Sequence, residues 1–289
     1  GPGGPNISVI VDDITLVTQN PSLLSSVSSK TVGFNFLTYM KGSKAGSVAY
    51  AQAVGERGTW GVSSQFVGYG SMNETLPSGE VIGKMHAQDI CVSGTYAYLL
   101  SDNWSGGATG KVIYSHYGDF TSCALAVDLG VNYFLPDQEF SLSAAARNIG
   151  GQVKAFGDHH ERLPFDLEVG FTKELGHAPI SISVTLIDLT RWNKKYFYST
   201  ADKISGGRVL TNHINLGVDV KPAKFLYVSA AYNFRRAYEM KAAGSSHAAG
   251  LSFGAGVQLK KFSAGLGYAK YHVGAPTLSF NIAYNFLKD

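Results

Sequence analysis

Thr277-Leu278-Ser279-Phe280-Asn281-Ile282-Ala283-Tyr284-Asn285-Phe286-Leu287 alternates without a break. Leu278, Phe280, Ile282, Tyr284 and Phe286 share one face of an extended chain, and Thr277, Ser279, Asn281, Ala283 and Asn285 share the other. Successive side chains of a β-strand point to opposite faces, so this period of two marks a strand with one apolar face. The pattern recurs upstream. Leu125, Val127, Leu129, Val131 and Tyr133 oppose Ala126, Asp128, Gly130 and Asn132, and Phe165, Leu167, Val169 and Phe171 oppose Asp166, Glu168, Gly170 and Thr172. Ile214, Leu216, Val218 and Val220 oppose Asn215, Gly217 and Asp219, while Leu226, Val228, Ala230, Tyr232 and Phe234 oppose Tyr227, Ser229, Ala231, Asn233 and Arg235. In a soluble sandwich the second face would be rich in Lys and Glu. Here it is Gly, Ala, Ser and Asn with an occasional charge, which suits a narrow lumen.

Fourteen such segments can be counted, near 32–41, 46–55, 58–69, 87–100, 108–117, 122–134, 139–150, 164–175, 179–190, 212–221, 225–236, 249–260, 262–272 and 276–287. Most have 10–13 residues, enough for a tilted crossing of a bilayer, which takes about 9–11. An even count is what a closed single-chain barrel requires. In 46–55 and 58–69 the lipid face cannot be assigned from the pattern. The long connections, 70–86, 151–163, 191–211 and 237–248, all follow odd-numbered strands. Outer-membrane barrels have short periplasmic turns and longer outer loops, so this parity places the N-terminus on the periplasmic side. The sequence thus predicts a closed, antiparallel, 14-stranded transmembrane outer-membrane β-barrel over 32–289. Residues 1–31 precede it as a short N-terminal plug in the periplasmic mouth, with Asp12, Asp13, Asn20 and Pro21 punctuating the segment.

Bulk composition agrees. Charged residues are 16% of the 289, against a usual ~25%. Glycine (34), tyrosine (16) and phenylalanine (16) are abundant, and a net charge of +3 signals no attraction to nucleic acid. No run of about 18 apolar residues is present to make a helical span. Mean hydropathy is +0.01, as expected when polar lumen residues cancel lipid-facing ones. No signal peptide is visible, and Gly1-Pro2-Gly3-Gly4-Pro5 reads as a mature start or a tag remnant. Cys91 and Cys123 fall on non-neighbouring strands in different alternation phases, which favours two unbridged side chains over a disulfide.

Chemistry is sparse. Asp158-His159-His160-Glu161 is the most metal-like cluster, but its spacing fits no zinc pattern and it reads as a solvated loop. Gly265-Leu266-Gly267 and Gly254-Ala255-Gly256 lie inside strands, so they are no dinucleotide fingerprint. With no nucleophile elbow, zincin motif or phosphate loop, no catalytic, metal or cofactor residue is assigned. Asp128, Arg147, Asp166, Glu168, Asp219 and Arg235 are the expected lumen charges, read first as paired groups holding wall and plug and second as a substrate path. In the 191–211 loop, Trp192 suits an aromatic belt and is also a candidate for a partner contact. Tyr196, Phe197 and Tyr198 suit a partner contact, as does Glu74 in the 70–86 loop.

The residues also resemble a family. Asp12-Asp13-Ile14-Thr15-Leu16-Val17-Thr18-Gln19-Asn20-Pro21-Ser22-Leu23-Leu24 is similar to the opening of the PorV/PorQ group of barrels, itself distantly like the long-chain fatty-acid transporters. Tyr69-Gly70 with Glu74, Gly79, Gly83, Ala87 and Asp89 resembles the PorQ-like branch. So do Asn148-Ile149-Gly150-Gly151-Gln152 before Leu163-Pro164-Phe165-Asp166, and Gly176-His177-Ala178-Pro179 followed by Trp192. Thr15 to Thr18 departs from an alanine-rich run, and 237–248 matches nothing in the family. The resemblance implies a non-catalytic part in the type IX secretion system of Bacteroidetes. It would anchor a PorZ-like surface protein in a complex with the sortase PorU and the barrel PorV, which links cargo to the cell surface. The alternative is a transporter of a hydrophobic small molecule, which calls for an apolar pocket beside the N-terminal segment and a break in strand pairing. An outer-membrane lipase stands third.

Overall fold

The sheet of this chain closes on itself. In the computed structural model, which describes residues 6–39, 42–75, 81–156, 160–176, 178–193, 196, 204–242, 244, 247–272 and 275–287, fourteen strands follow one another around a closed barrel. They are β1 Thr31–Tyr39, β2 Ser43–Val54, β3 Gly58–Thr75, β4 Val81–Leu99, β5 Trp104–Tyr117, β6 Phe120–Leu135 and β7 Phe140–Lys154. The second half comprises β8 Asp166–Glu174, β9 Ile180–Leu186, β10 Ile214–Ala223, β11 Leu226–Asn233, β12 Leu251–Gln258, β13 Phe262–His272 and β14 Ala275–Asn285. Each pairs antiparallel with its chain neighbour, and β1 closes on β14 from Thr31↔Asn285 to Thr38↔Leu278. Closure is what lipid demands, because an unpaired N–H or C=O there costs several kcal/mol. The end bearing the long connections is termed the outer end.

The alternation sorts as the periodicity predicts. Leu278, Phe280, Ile282 and Tyr284 are exposed on the outside of β14, while Thr277, Ala283 and Asn285 are buried inside. Phe34, Phe36, Leu125, Leu129 and Leu266 are exposed likewise. In water such a continuous apolar surface would be an aggregation hazard; against acyl chains it is the required solvent-facing surface, and the chain is an outer-membrane β-barrel. β2 and β3 turn Val48, Val54, Val62 and Phe66 outward. Their pattern is ambiguous in sequence because the opposing lumen residues include Ala49 and Ala51, which pack on apolar residues of the N-terminal segment.

The wall departs from expectation in four places. Strand takes up the described part of the 70–86 stretch expected as a loop: β3 runs to Thr75 and β4 starts at Val81. The register shifts between Gly68 and Ser71, with Gly70 at φ +75°. That bulge breaks the period of two and so hides the strand. β7 carries a similar shift opposite Val127 and Leu129, with Asn148 at φ +57°. β8, β9, β11 and β12 have only 9, 7, 8 and 8 residues, so the wall is low on that side. Helices α1 (Gly206–Asn212) and α2 (Phe234–Ala242) stand at its outer end. Arg235, expected on the lumen face of a longer strand, therefore lies in α2. The strand ends because Asn233 Oδ1 accepts the Arg236 N–H at 2.8 Å, starting a helix.

Glycines inside strands make room for a ring. Tyr227, Gly256, Gly265 and Asn281 occupy one row across β11 to β14. A Cβ at Gly256 would fall 2.4 Å from the Tyr227 hydroxyl, and one at Gly265 2.5 Å from it. The tyrosine thus lies along the lumen wall over both glycines. Gly265→Leu is expected to lower stability by about 1–3 kcal/mol through overpacking, with Gly94→Leu, where an added Cβ meets nothing within 4 Å, costing less, both measured by urea unfolding in detergent.

Candidate functional site: the filled lumen and the outer rim

The N-terminal segment fills the lumen toward the end opposite the long connections. It enters beside β8 and β9, where Asn6 Nδ2 donates to Ser183 Oγ at 3.0 Å and the Ser8 and Thr172 hydroxyls meet at 2.9 Å. Two short 3-10 helices follow, Ile14–Thr18 and Pro21–Ser26. Asp13 caps the first by accepting the Thr15 N–H at 2.9 Å. Asn20 caps the second: its Oδ1 accepts from Ser22 N and Oγ at 3.0 and 2.8 Å, and its Nδ2 donates to Ile7 O at 2.9 Å. Pro21 sits at the first helical position, where no N–H is needed. Asp12 accepts the Ser28 N–H at 2.7 Å and also the Ser28 hydroxyl, tying the two ends of the segment together.

Apolar packing holds this segment to one side of the wall. Ile14, Leu24 and Val27 form a buried cluster with Ala51 and Ala97. On β5 and β6 the approach is closer still: a Cβ at Gly107 would fall 2.5 Å from the Pro21 backbone, and one at Gly130 1.9 Å from Asn20 Oδ1.

The lumen carboxylates foreseen in sequence are held by charged or neutral donors. Asp128 Oδ1 accepts Lys111 Nζ and the Asn148 N–H, both at 2.7 Å. Glu168 Oε1 accepts Arg147 at 3.1 Å, Asp166 accepts the Asp188 N–H at 2.8 Å, and Asp219 accepts the Ser229 hydroxyl. Lys111 and Asn148 had no distinguishing signal in sequence, because the bulge that aims Asn148 at Asp128 is a property of the pairing.

At the outer rim of the low wall, Arg235 bonds Asp188 Oδ2 and Glu239 Oε1, both at 2.7 Å, and Arg191 bonds Asp188 Oδ1 at 3.2 Å. Both guanidinium groups face the Tyr196 ring, at 4.8 and 5.4 Å from its centre. Burial acts to lower the Arg235 pKa, but the hydrogen bond and charge of Glu239, with Asp188, outweigh it and leave the value raised. Trp192 is half exposed, donates to Leu189 O at 2.6 Å and stacks on the buried His213 at 4.1 Å. Phe197, Tyr198, Asp158 and His159 lie outside the described residues, as does the side chain of Glu74, whose backbone pairs with Gly83 in the β3–β4 hairpin. Cys91 and Cys123 are free. Among the described residues no cluster could hold a metal ion.

Two of the cavities beside the segment lie on opposite sides of it. One, of about 150 Å³, lies between Val9, Val11, Asp13 and Leu16 and the β9–β13 wall, including Tyr227 and Ala231. The other, of about 280 Å³, faces β2–β7 and includes Gln65, Cys91, Lys111 and Arg147 in its lining.

Solved structures share this architecture. The chain is similar to the Pseudomonas putida toluene transporter TodX (10% identity, TM-score 0.63, covering 98% of this chain and 96% of that one). It is similar also to the CymD monoaromatic hydrocarbon channel (10% identity, TM-score 0.60, 99% and 96%). A Pseudomonas aeruginosa FadL homologue gives 11% identity, TM-score 0.57, 98% and 96%. At these identities the likeness is one of fold. No protein-family model and no curated protein matches the sequence.

Two outcomes follow. Gly107→Val should displace the segment and produce steady ion currents in a planar bilayer where the native chain conducts little; unchanged currents would show that the segment does not seal the lumen. Asp128→Ala, which strands the Lys111 charge, should cost about 3–5 kcal/mol, and adding Lys111→Met should restore most of it in the same unfolding assay.

Proposed function

We propose that this outer-membrane barrel takes up a small hydrophobic molecule, which occupies the cavity beside the N-terminal segment before passing to the periplasm. The observation that carries this reading is the 150 Å³ space walled by Val9, Val11 and Leu16 on one side and by Tyr227 and Ala231 on the other. A void of about that size holds a benzene ring, and here the apolar patch is bordered by Asp12, Asp13, Asn215 and Asp219. Glu174, Lys221, Lys224 and Gln258 also line it. They lie at the strand ends opposite the long connections, so a molecule in this cavity sits close to the periplasmic exit. Support also comes from the fold, shared over nearly the whole chain with barrels described as a toluene transporter and a monoaromatic hydrocarbon channel. The pairing break sought for a transporter has one counterpart: beyond Arg147, β7 continues to Lys154 with no ladder to β8, only a bridge from Gly151 to Arg162. This role involves no catalytic step.

A second reading has its own support. The dispersed motifs resembling the PorQ-like branch, together with the Arg191–Asp188–Arg235–Tyr196 cluster on the outer rim, favour an anchor for a PorZ-like surface protein within a type IX attachment complex with PorU and PorV. Arginine and tyrosine are common anchors of protein interfaces.

Equilibrium dialysis of labelled toluene and palmitate against the purified barrel separates the two. The first reading expects saturable binding that Leu16→Asp abolishes; absence of saturable binding by either compound removes it. The second expects PorZ-like and PorU-like proteins to co-isolate from solubilised outer membranes and to be lost when 191–211 becomes a Gly/Ser linker. A native chain that emerges alone removes the anchor role.

A further inference from the structure

Four separate pieces of chain converge at the outer mouth of the lumen, away from both cavities. Tyr69 comes from β3, Asp89 from β4, Tyr117 from the last residue of β5, and Phe156 from just past β7. Tyr69 and Tyr117 hydroxyls both donate to Asp89 Oδ2, at 2.6 and 3.2 Å. The two tyrosine rings lie 6.0 Å apart at 31°, and Phe156 meets the Tyr117 ring edge-on at 5.1 Å. The bulge at Gly70 aims Tyr69: a Cβ there would fall 2.9 Å from Gly42 O, and its φ of +75° suits glycine.

Asp89, like Asp166 and Asp219, accepts from neutral donors and not from the counter-charge that other carboxylates of this chain have. Asp128, Glu168, Glu174 and Asp188 each pair with a Lys or Arg. Among the described residues Asp89 has no such partner, and its Oδ1 is buried with no hydrogen bond. A carboxylate held by two phenols, with an unfilled acceptor and aromatic faces beside it, has the chemistry that attracts a cation: negative charge at the base and ring quadrupoles at the sides. Glu168 Oε2 is also left empty, but Arg147 supplies its counter-charge; at Asp89 an empty acceptor, which costs about 1–3 kcal/mol when buried, coincides with a missing cation and three rings.

We propose that Tyr69, Asp89, Tyr117 and Phe156 form a site for an alkylammonium group at the outer mouth, independent of what the lower cavity carries. Ring faces favour a methylated ammonium over a small hydrated ion, because the methyl groups bury apolar area while the charge is diffuse.

The test uses the full chain in a maltoside detergent, titrated calorimetrically with choline and with its neutral isostere 3,3-dimethylbutan-1-ol. The site expects saturable choline binding, at least about tenfold weaker isostere binding, and a similar loss on Asp89→Asn and on Tyr117→Leu. Phosphatidylcholine nanodiscs form a second arm: competition by the bilayer headgroup shows that lipid supplies the ligand, while undiminished choline binding shows that a free molecule does. No saturable binding of choline to the native chain, or equal binding of the isostere, overturns the proposal. Since the isostere comparison needs no variant, it holds even if a substitution prevents folding.

Discussion

Everything in this chain follows from the need to pair backbone groups where water is absent. A bilayer supplies no hydrogen-bond partner, so a sheet that enters it must close. Closure between β1 and β14 over eight residue pairs satisfies that need, and the rest of the molecule is arranged around the result. The outer face becomes apolar because its solvent is acyl chain. The inner face becomes small and polar because it encloses a limited volume that must be filled by protein or water.

Filling that volume is the task of residues 6–30. They bring their own caps, with Asp13 and Asn20 satisfying the starts of two short helices, so little polar backbone is left unmet inside the barrel. They also change the lumen's character locally. Where Ile14, Leu24 and Val27 press on the wall, the wall answers with Ala51 and Ala97; where the backbone itself approaches, it answers with Gly107 and Gly130. On the β9–β13 side the fit is looser and a cavity remains, and this looseness is what a passing molecule could use.

The barrel is uneven in height. β3 and β4 have 18 and 19 residues and β9 has 7. On the low side two helices and an Arg–Asp–Tyr cluster build the rim; on the high side the β3–β4 hairpin does. The aromatic and carboxylate group of Tyr69, Asp89, Tyr117 and Phe156 belongs to the high side and depends on the bulge that made its hairpin read as a loop.

By itself the sequence determined the strand count, the barrel class and the side of each clean strand that meets lipid. All of these rest on a period of two and on residue type, which are local properties. Only the tertiary structure decided the rest. Bulges at Gly70 and Asn148 shift the phase of a strand by its partner's geometry, so the length of β3 and the Asn148–Asp128 contact have no local signature. Arg235 sits at the rim and not in the wall because Asn233 caps a helix there, a choice between two conformations that alternation alone could not make. The cavities exist because a separate segment packs tightly on one half of the wall and loosely on the other, and that complementarity is set by residues on different strands, far from the segment in the chain.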